Sequence, residues 1–476
     1  MRYEDIQGVH GSKEKEEINM KGVVTVRSEI LKHIILTIVI SVAVVSTVSV
    51  ADRAMTLRDA LRIALSGNPE IKAQSQALSA TGEDIGIAQS YLLPKINLEE
   101  RFMRTATPGY AFSFKMNQER FSAADLMGAP DTFNNPGPTS DFQSTLSFEQ
   151  PLFAPKAYIG IDMAKQEAKA RNSEFDRKRE DVALKVYKTY LGIATATGYG
   201  NAAEKGIEDA KAHLTVAEVR YNEGTGIYSD LLRAKVAVSM ASERHVAAIK
   251  NRETAKRALG LMLGLEESLD ILPETGEVEV KAIEHYYGAS SLRKDLKAME
   301  TRANNAGNML KMADAGYLPV IGIGAGYQMN DHRKPFGSEG DSWQMMAFLK
   351  WEIFDGTKRE HERQKAKYKS AEAQEYLSGL KKEIAFNIYD AYLGVGEAKD
   401  SLALSKAALL SAEEGLRIVK VRYENSLSPM IELLDMQAGL DGSRAGVIEK
   451  ESAYKNAVAN LWFQSGIILK ELGMEQ

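Results

Sequence analysis

The chain has 476 residues, 44% of them apolar, and 60 basic against 65 acidic side chains leave a formal net charge of -5. That length allows about three domains, each able to bury a core, and a mildly acidic, charge-mixed chain excludes nucleic acid as the expected partner, because displacing counterions from phosphates needs a basic face. Cysteine is absent, which excludes disulfide frameworks, thiolate zinc sites, cysteine nucleophiles and a lipidated amino-terminal cysteine.

Residues 1–27 are polar and charged. Lys21, Arg27 and Lys32 then precede an aliphatic run from Ile34 to Val48, and the small residues of Val48-Ser49-Val50-Ala51 suit a signal-peptidase site before Asp52. A membrane anchor is the competing reading, but about 15 apolar residues at 1.5 Å rise reach about 22 Å, short of a ~30 Å hydrocarbon core. Residues 1–51 are therefore read as leader and export signal, with Met20 as an alternative start.

From 57 to 92 the chain reads as a helix of about 36 residues that ends at Leu93-Pro94, since proline disfavours the α region in the residue before it. Two alternating segments follow. Lys95 to Arg104 places Ile96, Leu98 and Phe102 on one face; Phe142 to Gln150 places Phe142, Leu146 and Phe148 on one face and Gln143, Thr145 and Glu149 on the other. Period two over about ten residues is the pattern of a membrane barrel strand. Between them the long loop Thr105–Asp141 carries Tyr110, Phe112, Phe114, Phe121 and Phe133, and reads either as self-packed or as folded over a barrel mouth.

A stretch without proline separates Pro155 from Pro273, and another separates Pro335 from Pro429. Each begins with a predicted helix of about 67 residues, 156–222 and 356–424, some 100 Å long at 1.5 Å per residue. Leu184, Tyr187, Leu191 and Ala194 form one stripe, and Val182, Val186, Tyr190 and Ile193 a second beside it, so the rod needs neighbours on more than one side. A short turn (Asn222 to Tyr228, then Asn425 to Ser428) reverses each rod into a helix of about 37 residues.

The second half repeats the first. Val186-Tyr187-Lys188-Thr189-Tyr190-Leu191-Gly192 returns as Ile388-Tyr389-Asp390-Ala391-Tyr392-Leu393-Gly394, 202 positions later, and the offset holds from Val219-Arg220-Tyr221 to Val421-Arg422-Tyr423. A helix over about 290–316 ends at Leu318-Pro319. Ile321, Ile323, Ala325 and Tyr327 then alternate with Gly322, Gly324 and Gly326, and Trp343, Met345, Ala347, Leu349 and Trp351 alternate in a fourth strand. The predicted organisation is a first repeat over 52–265, a linker over 266–289 and a second repeat over 290–476, each repeat containing a helix, two strands and a long helical hairpin.

The export signal, the duplication, the Leu-Pro helix ends, the two strand pairs and the doubled tip motif together resemble the outer-membrane efflux (TolC) family. The tip motif is Arg220-Tyr221-Asn222-Glu223-Gly224 with Ser229-Asp230-Leu231-Leu232, repeated as Arg422-Tyr423-Glu424-Asn425-Ser426 with Glu432-Leu433-Leu434-Asp435. The resemblance spans about residues 55–470. It implies a mixed, mainly α fold in which a homotrimer builds a helical barrel continuous with a 12-stranded transmembrane β-barrel, four strands per chain, in the outer membrane of a Gram-negative bacterium and reaching into the periplasm. Independently, four strands cannot close a barrel, and an open edge in lipid leaves backbone groups unpaired.

Glu432 and Asp435 lie three residues apart after Ser428-Pro429 and read as ordinary first-turn acids, with Ser428 as N-cap and Pro429 at the first helical position. The resemblance implies instead an acidic ring at the periplasmic entrance, where one sign of charge concentrates cations. Tyr423 and Asp230 read as a packed aromatic and a first-turn acid, or, by resemblance, as bonds that hold the tips closed. Ser428 stands where the family has an arginine, and Arg233 is the candidate replacement cation. The exposed tips, including Arg220, Tyr221, Gly224, Arg422 and Ser426, are the expected contact for a periplasmic adaptor.

The glycines of Gly322-Ile323-Gly324-Ala325-Gly326 lie inside a strand and open no helix, so they do not form a phosphate loop. The 7 histidines are scattered, with no metal-ligand spacing. No cofactor and no catalytic residue is expected. The expected function is a passive outer-membrane channel of a tripartite efflux or type I secretion system, working with an adaptor and an inner-membrane pump or ABC exporter. The competing readings are a soluble periplasmic coiled-coil scaffold and, more remotely, a metal-dependent enzyme.

Overall fold

A computed structural model describes residues 54–128, 133–272 and 279–474; the leader and export signal lie outside the described residues. Helix α1 (Leu57–Gly67) opens on Thr56, whose hydroxyl accepts the Asp59 amide at 3.1 Å, and buries Leu57, Ala60, Leu61 and Ala64 on one face. The single helix expected over 57–92 is instead two. Asn68 ends α1 and caps α2 (Pro69–Ser90), its Oδ1 accepting from the amides of Glu70 (2.8 Å) and Ile71 (3.4 Å). Pro69 lacks an amide hydrogen and is tolerated only in the first turn, so the helix restarts there.

Strand β1 (Lys95–Thr105) leads through helices α3 (Pro108–Asn117) and α4 (Ala123–Leu126) to β2 (Thr139–Phe153). The rod α5 (Pro155–Asn222) has 68 residues and α6 (Tyr228–Leu263) has 36. Helix α7 (Ile283–Ser290) forms in the expected linker and ends one residue into the expected second repeat. It precedes α8 (Lys294–Asp314), which a 3-10 turn prolongs to Tyr317, and strands β3 (Val320–Asp331) and β4 (Gly340–Lys350). The second half closes with α9 (Lys358–Glu424), α10 (Met430–Ser465) and the short α11 (Ile468–Glu471). Helices α6 and α10 have equal length and both stop at a left-handed glycine, Gly264 (φ 77°) and Gly466 (φ 75°), again 202 positions apart.

The rods are stacked laterally. α5 packs against α6 and α10 towards the turns and against α2 and α8 towards the sheet, while α9 packs against α10 and then α8. The main core lies at mid-rod, where Val182, Val186, Tyr190 and Ile193 of α5 join Leu61 of α1, Leu259 of α6, Ile384 and Ile388 of α9, and Leu461 of α10. A smaller core of Ala217, Ala234, Val419, Tyr423, Met430 and Leu433 binds the two turns together. Both outer flanks stay apolar and exposed: Val236, Met240 and Val246 on α6, and Tyr368, Tyr376, Phe386, Leu404 and Leu410 on α9.

The four strands form one antiparallel sheet in the order β1-β2-β3-β4, so β2 and β3 join the two halves and β1 and β4 are edges. Register places Leu98, Leu146, Tyr327 and Trp343 in one row across the sheet and Ile96, Phe148, Ala325 and Met345 in the next. The opposite face carries Asn97, Ser147, Gly326 and Gln344, then Glu99, Thr145, Gln328 and Ser342. The β3 glycines make room for β4 side chains. A Cβ on Gly322 would stand 2.5 Å from the Phe348 ring, and one on Gly324 3.3 Å from Met346.

Candidate functional site

Two regions bear on function: the sheet and the paired turns at the far end of the rods. On the sheet the apolar rows are exposed, with nothing over them among the described residues. Leu98 is 65% exposed, Trp343 74% and Met345 76%. A patch of this kind on a strand face needs an apolar solvent or a partner. Strands of 11 to 15 residues match the length of a tilted membrane-spanning strand or slightly exceed it.

The polar face is covered at one end. Gln118, just after α3, is buried and donates to the Ser140 carbonyl (2.9 Å) and to Asp141 Oδ1 (2.8 Å), and Asn330 Nδ2 donates to both oxygens of Asp141. Asp141 and Asn330 share the alternation of Gln143 and Gln328, and a Cβ on Gly340 would lie 2.3 Å from the Asn117 carbonyl. The long loop is thus both self-packed, with Phe112 stacked 5.4 Å from Phe133, and docked on the polar face.

The two turns are built alike. Residue 223 donates to the 219 carbonyl (2.9 Å) and residue 425 to the 421 carbonyl (3.1 Å); Gly224 and Ser426 then follow at φ 75° and 64°. Glycine adopts that conformation at no cost, whereas serine strains it by roughly 1–2 kcal/mol. The strain is offset by Arg220, which crosses from the first turn to the second. Its guanidinium lies 4.7 Å over the Tyr423 ring, donates to the Tyr423 carbonyl and donates to the Ser426 hydroxyl at 2.8 Å. Tyr423 is buried, which pushes its phenol pKa up; Arg220 opposes that shift and Asp230 adds to it.

Each expected tip residue has a definite place. Glu432 accepts a hydrogen bond from the Ser428 hydroxyl and lies 3.9 Å from the Arg422 guanidinium, while Asp435 is exposed. Helix α10 starts at Met430, one residue later than expected. Pro429 is its N-cap position, and Ser428 bonds the Glu432 side chain instead of capping the backbone. Tyr221 packs on Tyr228 with ring centroids 5.5 Å apart. Arg233 is exposed and forms no ion pair among the described residues; the cation at Tyr423 is Arg220.

A polar layer behind the turns was not foreseen. Buried His213 Nε2 lies 3.0 Å from Gln437 Oε1. Gln437 Nε2 donates to Asp441 (2.9 Å) and Asp209 (3.3 Å), Arg444 pairs with Asp209 (2.8 Å), and Arg244 pairs with Asp441 (3.2 Å). It ties α5, α6 and α10 together. The available signal was spacing: Asp209 and His213 are four apart, as are Gln437 and Asp441, with Arg444 three further on, so each set shares one helix face.

The family model for outer membrane efflux protein matches residues 60–265 and 286–466. Outer membrane protein TolC of Vibrio cholerae is 20% identical over 406 residues, covering 83% of this chain and 86% of that protein. The alkaline protease secretion protein AprF of Pseudomonas aeruginosa is 20% identical over 224 residues, 47% of this chain and 44% of AprF. Among solved structures, the outer membrane protein VceC of Vibrio cholerae superposes with a TM-score of 0.69 at 17% identity, over 86% of this chain and 96% of VceC. CusC gives 0.72 at 15% identity, over 86% and 92%. With the duplicated rods, the four-stranded sheet and a family match over most of its length, this chain belongs to the outer membrane efflux protein family, the channel proteins of the Gram-negative outer membrane.

Proposed function

We propose that three copies of this chain close into one passive duct for efflux or type I secretion, a twelve-stranded barrel in the outer membrane continued by a helical barrel in the periplasm. The observation that carries this reading is the pairing of open margins at both levels. The sheet ends in unpaired edges β1 and β4 and turns an exposed apolar face outward, and the rods end in exposed apolar flanks on α6 and α9. Backbone groups at a sheet edge cannot be left unpaired in lipid, and the next copy supplies the missing strand. A soluble scaffold would account for the rods but leaves the apolar strand rows in water.

The two repeats, 52–265 and 290–476, supply equivalent halves of each chain's wall, with 266–289 as the link. The polar face of the sheet lines the lumen, and α3 narrows its outer end. At the opposite end Glu432 and Asp435 form the acidic entrance, with Glu432 partly screened by Arg422, and the Arg220–Tyr423–Ser426 contact holds the paired turns together, with Asp230 nearby and Arg233 exposed for a neighbouring copy. A periplasmic adaptor engages the turns at Arg220, Tyr221, Gly224, Arg422 and Ser426, and an inner-membrane pump delivers the cargo. No side chain here is assigned a catalytic role.

The test is assembly together with conductance. Detergent-extracted protein should have the mass of three chains and form ion-conducting channels in planar bilayers. A water-soluble monomer without conductance would remove the proposal.

A further inference from the structure

The outer hairpin between β3 and β4 gathers three metal-type ligands that the duct does not use. Asp331 ends β3, His332 follows it, and Glu339 precedes β4. Each offers one ligand atom, and the three atoms lie within 4.8 Å of one another. Asp331 is only 4% exposed and has no ion pair among the described residues. Its Oδ1 accepts the amides of Arg333 (2.7 Å) and Lys334 (3.1 Å), which orient the carboxylate; its Oδ2 takes no hydrogen bond among the described residues. Gly337 makes room for that oxygen, since a Cβ there would stand 2.0 Å from Oδ2. Glu339 accepts from the His332 amide (3.1 Å) and lies 2.5 Å from His332 Nδ1.

We propose that Asp331, His332 and Glu339 form a binding site for a divalent transition-metal ion of the zinc class, which clasps the β3–β4 turn. One imidazole and two carboxylates suit such an ion, leaving a fourth position for water. The ion takes the place of the proton between His332 Nδ1 and Glu339, and that proton leaves to solvent. With Nδ1 on the metal the ring carries its hydrogen on Nε2. Arg333, whose Nε now lies 2.9 Å from Nε2 as a donor, must then swing away, and its exposure lets it. Access comes from a cavity of about 570 Å³ beside α3 that His332 lines. The site joins the end of one strand to the start of the next, so an ion there cross-links the hairpin across its loop.

The experiment is a Zn²⁺ titration of the full chain in detergent against a chromophoric chelator, repeated with Co²⁺ to read ligand-field absorption. Wild type should bind one equivalent per chain at this site. His332→Ala should weaken binding by more than about tenfold, and Glu339→Gln, which keeps the shape and removes the charge, should do the same while eluting with wild-type mass. Arg333→Ala should tighten binding, because it removes a cation that must be displaced. If His332→Ala or Glu339→Gln binds as wild type does, or Arg333→Ala leaves the affinity unchanged, the site is disproved. None of these outcomes bears on whether the chain conducts.

Discussion

Arg220 reverses an assignment that residue type alone invites. In sequence it belongs to an exposed tip motif, and Arg233, on the first tip where the second has Asp435, is the candidate cation for the gap left by Ser428, yet the guanidinium that reaches Tyr423 is that of Arg220. At the same end, the two acids proposed for the entrance differ. Glu432 is tied to Ser428 and near Arg422, whereas Asp435 is exposed. Changing both Glu432 and Asp435 to lysine should therefore invert cation preference in single-channel recordings, and Asp435→Lys alone should account for more of the change than Glu432→Lys alone. Unchanged selectivity in the double variant would remove the entrance assignment. The positions of these residues were legible because the tip motif occurs twice at a fixed offset. Their partners were not, because Arg220 and Ser426 are 206 residues apart and nothing local couples them.

Elements were more legible than contacts, for a physical reason. Period-two and period-3.6 patterns are properties of a chain segment, so strands and rods appeared within a few residues of their predicted bounds. The expected helix over 57–92 failed at Asn68-Pro69, where a cap and a first-turn proline outweigh an unbroken apolar pattern. What fastens elements together is long-range. Arg302 on α8 grips two carboxylates of α5, Glu167 through Nε (3.1 Å) and Nη2 (2.8 Å) and Glu174 through Nη2 (3.1 Å). The hydrogen bonds from Arg302 lower the Glu167 pKa, and those to Glu167 and Glu174 raise that of Arg302. A carboxylate depressed in the folded state stabilises it fully above its unfolded pKa of about 4.3 and loses that contribution as pH falls through the folded value. Arg302→Leu should therefore lower thermal stability at pH 7, with the gap from wild type narrowing below about pH 4. A gap independent of pH would show that the pair contributes through packing alone.

For the whole molecule, the proposal of several copies rests on margins: four strands and two rods leave edges and flanks uncovered among the described residues. The exposed flanks of α6 and α9 give that argument a handle. Placing aspartate at Val246 or Leu404 puts a charge into the proposed contact between copies and should shift detergent-extracted protein from three-chain to one-chain mass, while Glu413→Ala, on the exposed part of α9, should not. Equal assembly of all three variants would argue against those flanks as the contact.

The unlike edges of the sheet also set a hazard. An interface in which β4 of one copy meets β1 of the next is head-to-tail, and such an interface either returns on itself as a ring or runs on as a filament. Copy number is then fixed by curvature, and a sheet slightly too flat would admit further subunits or polymerise. Phe348 and Met346 fold over the glycines of β3, so a side chain at Gly322 would displace the Phe348 ring and act on that curvature as well as on the packing of one chain.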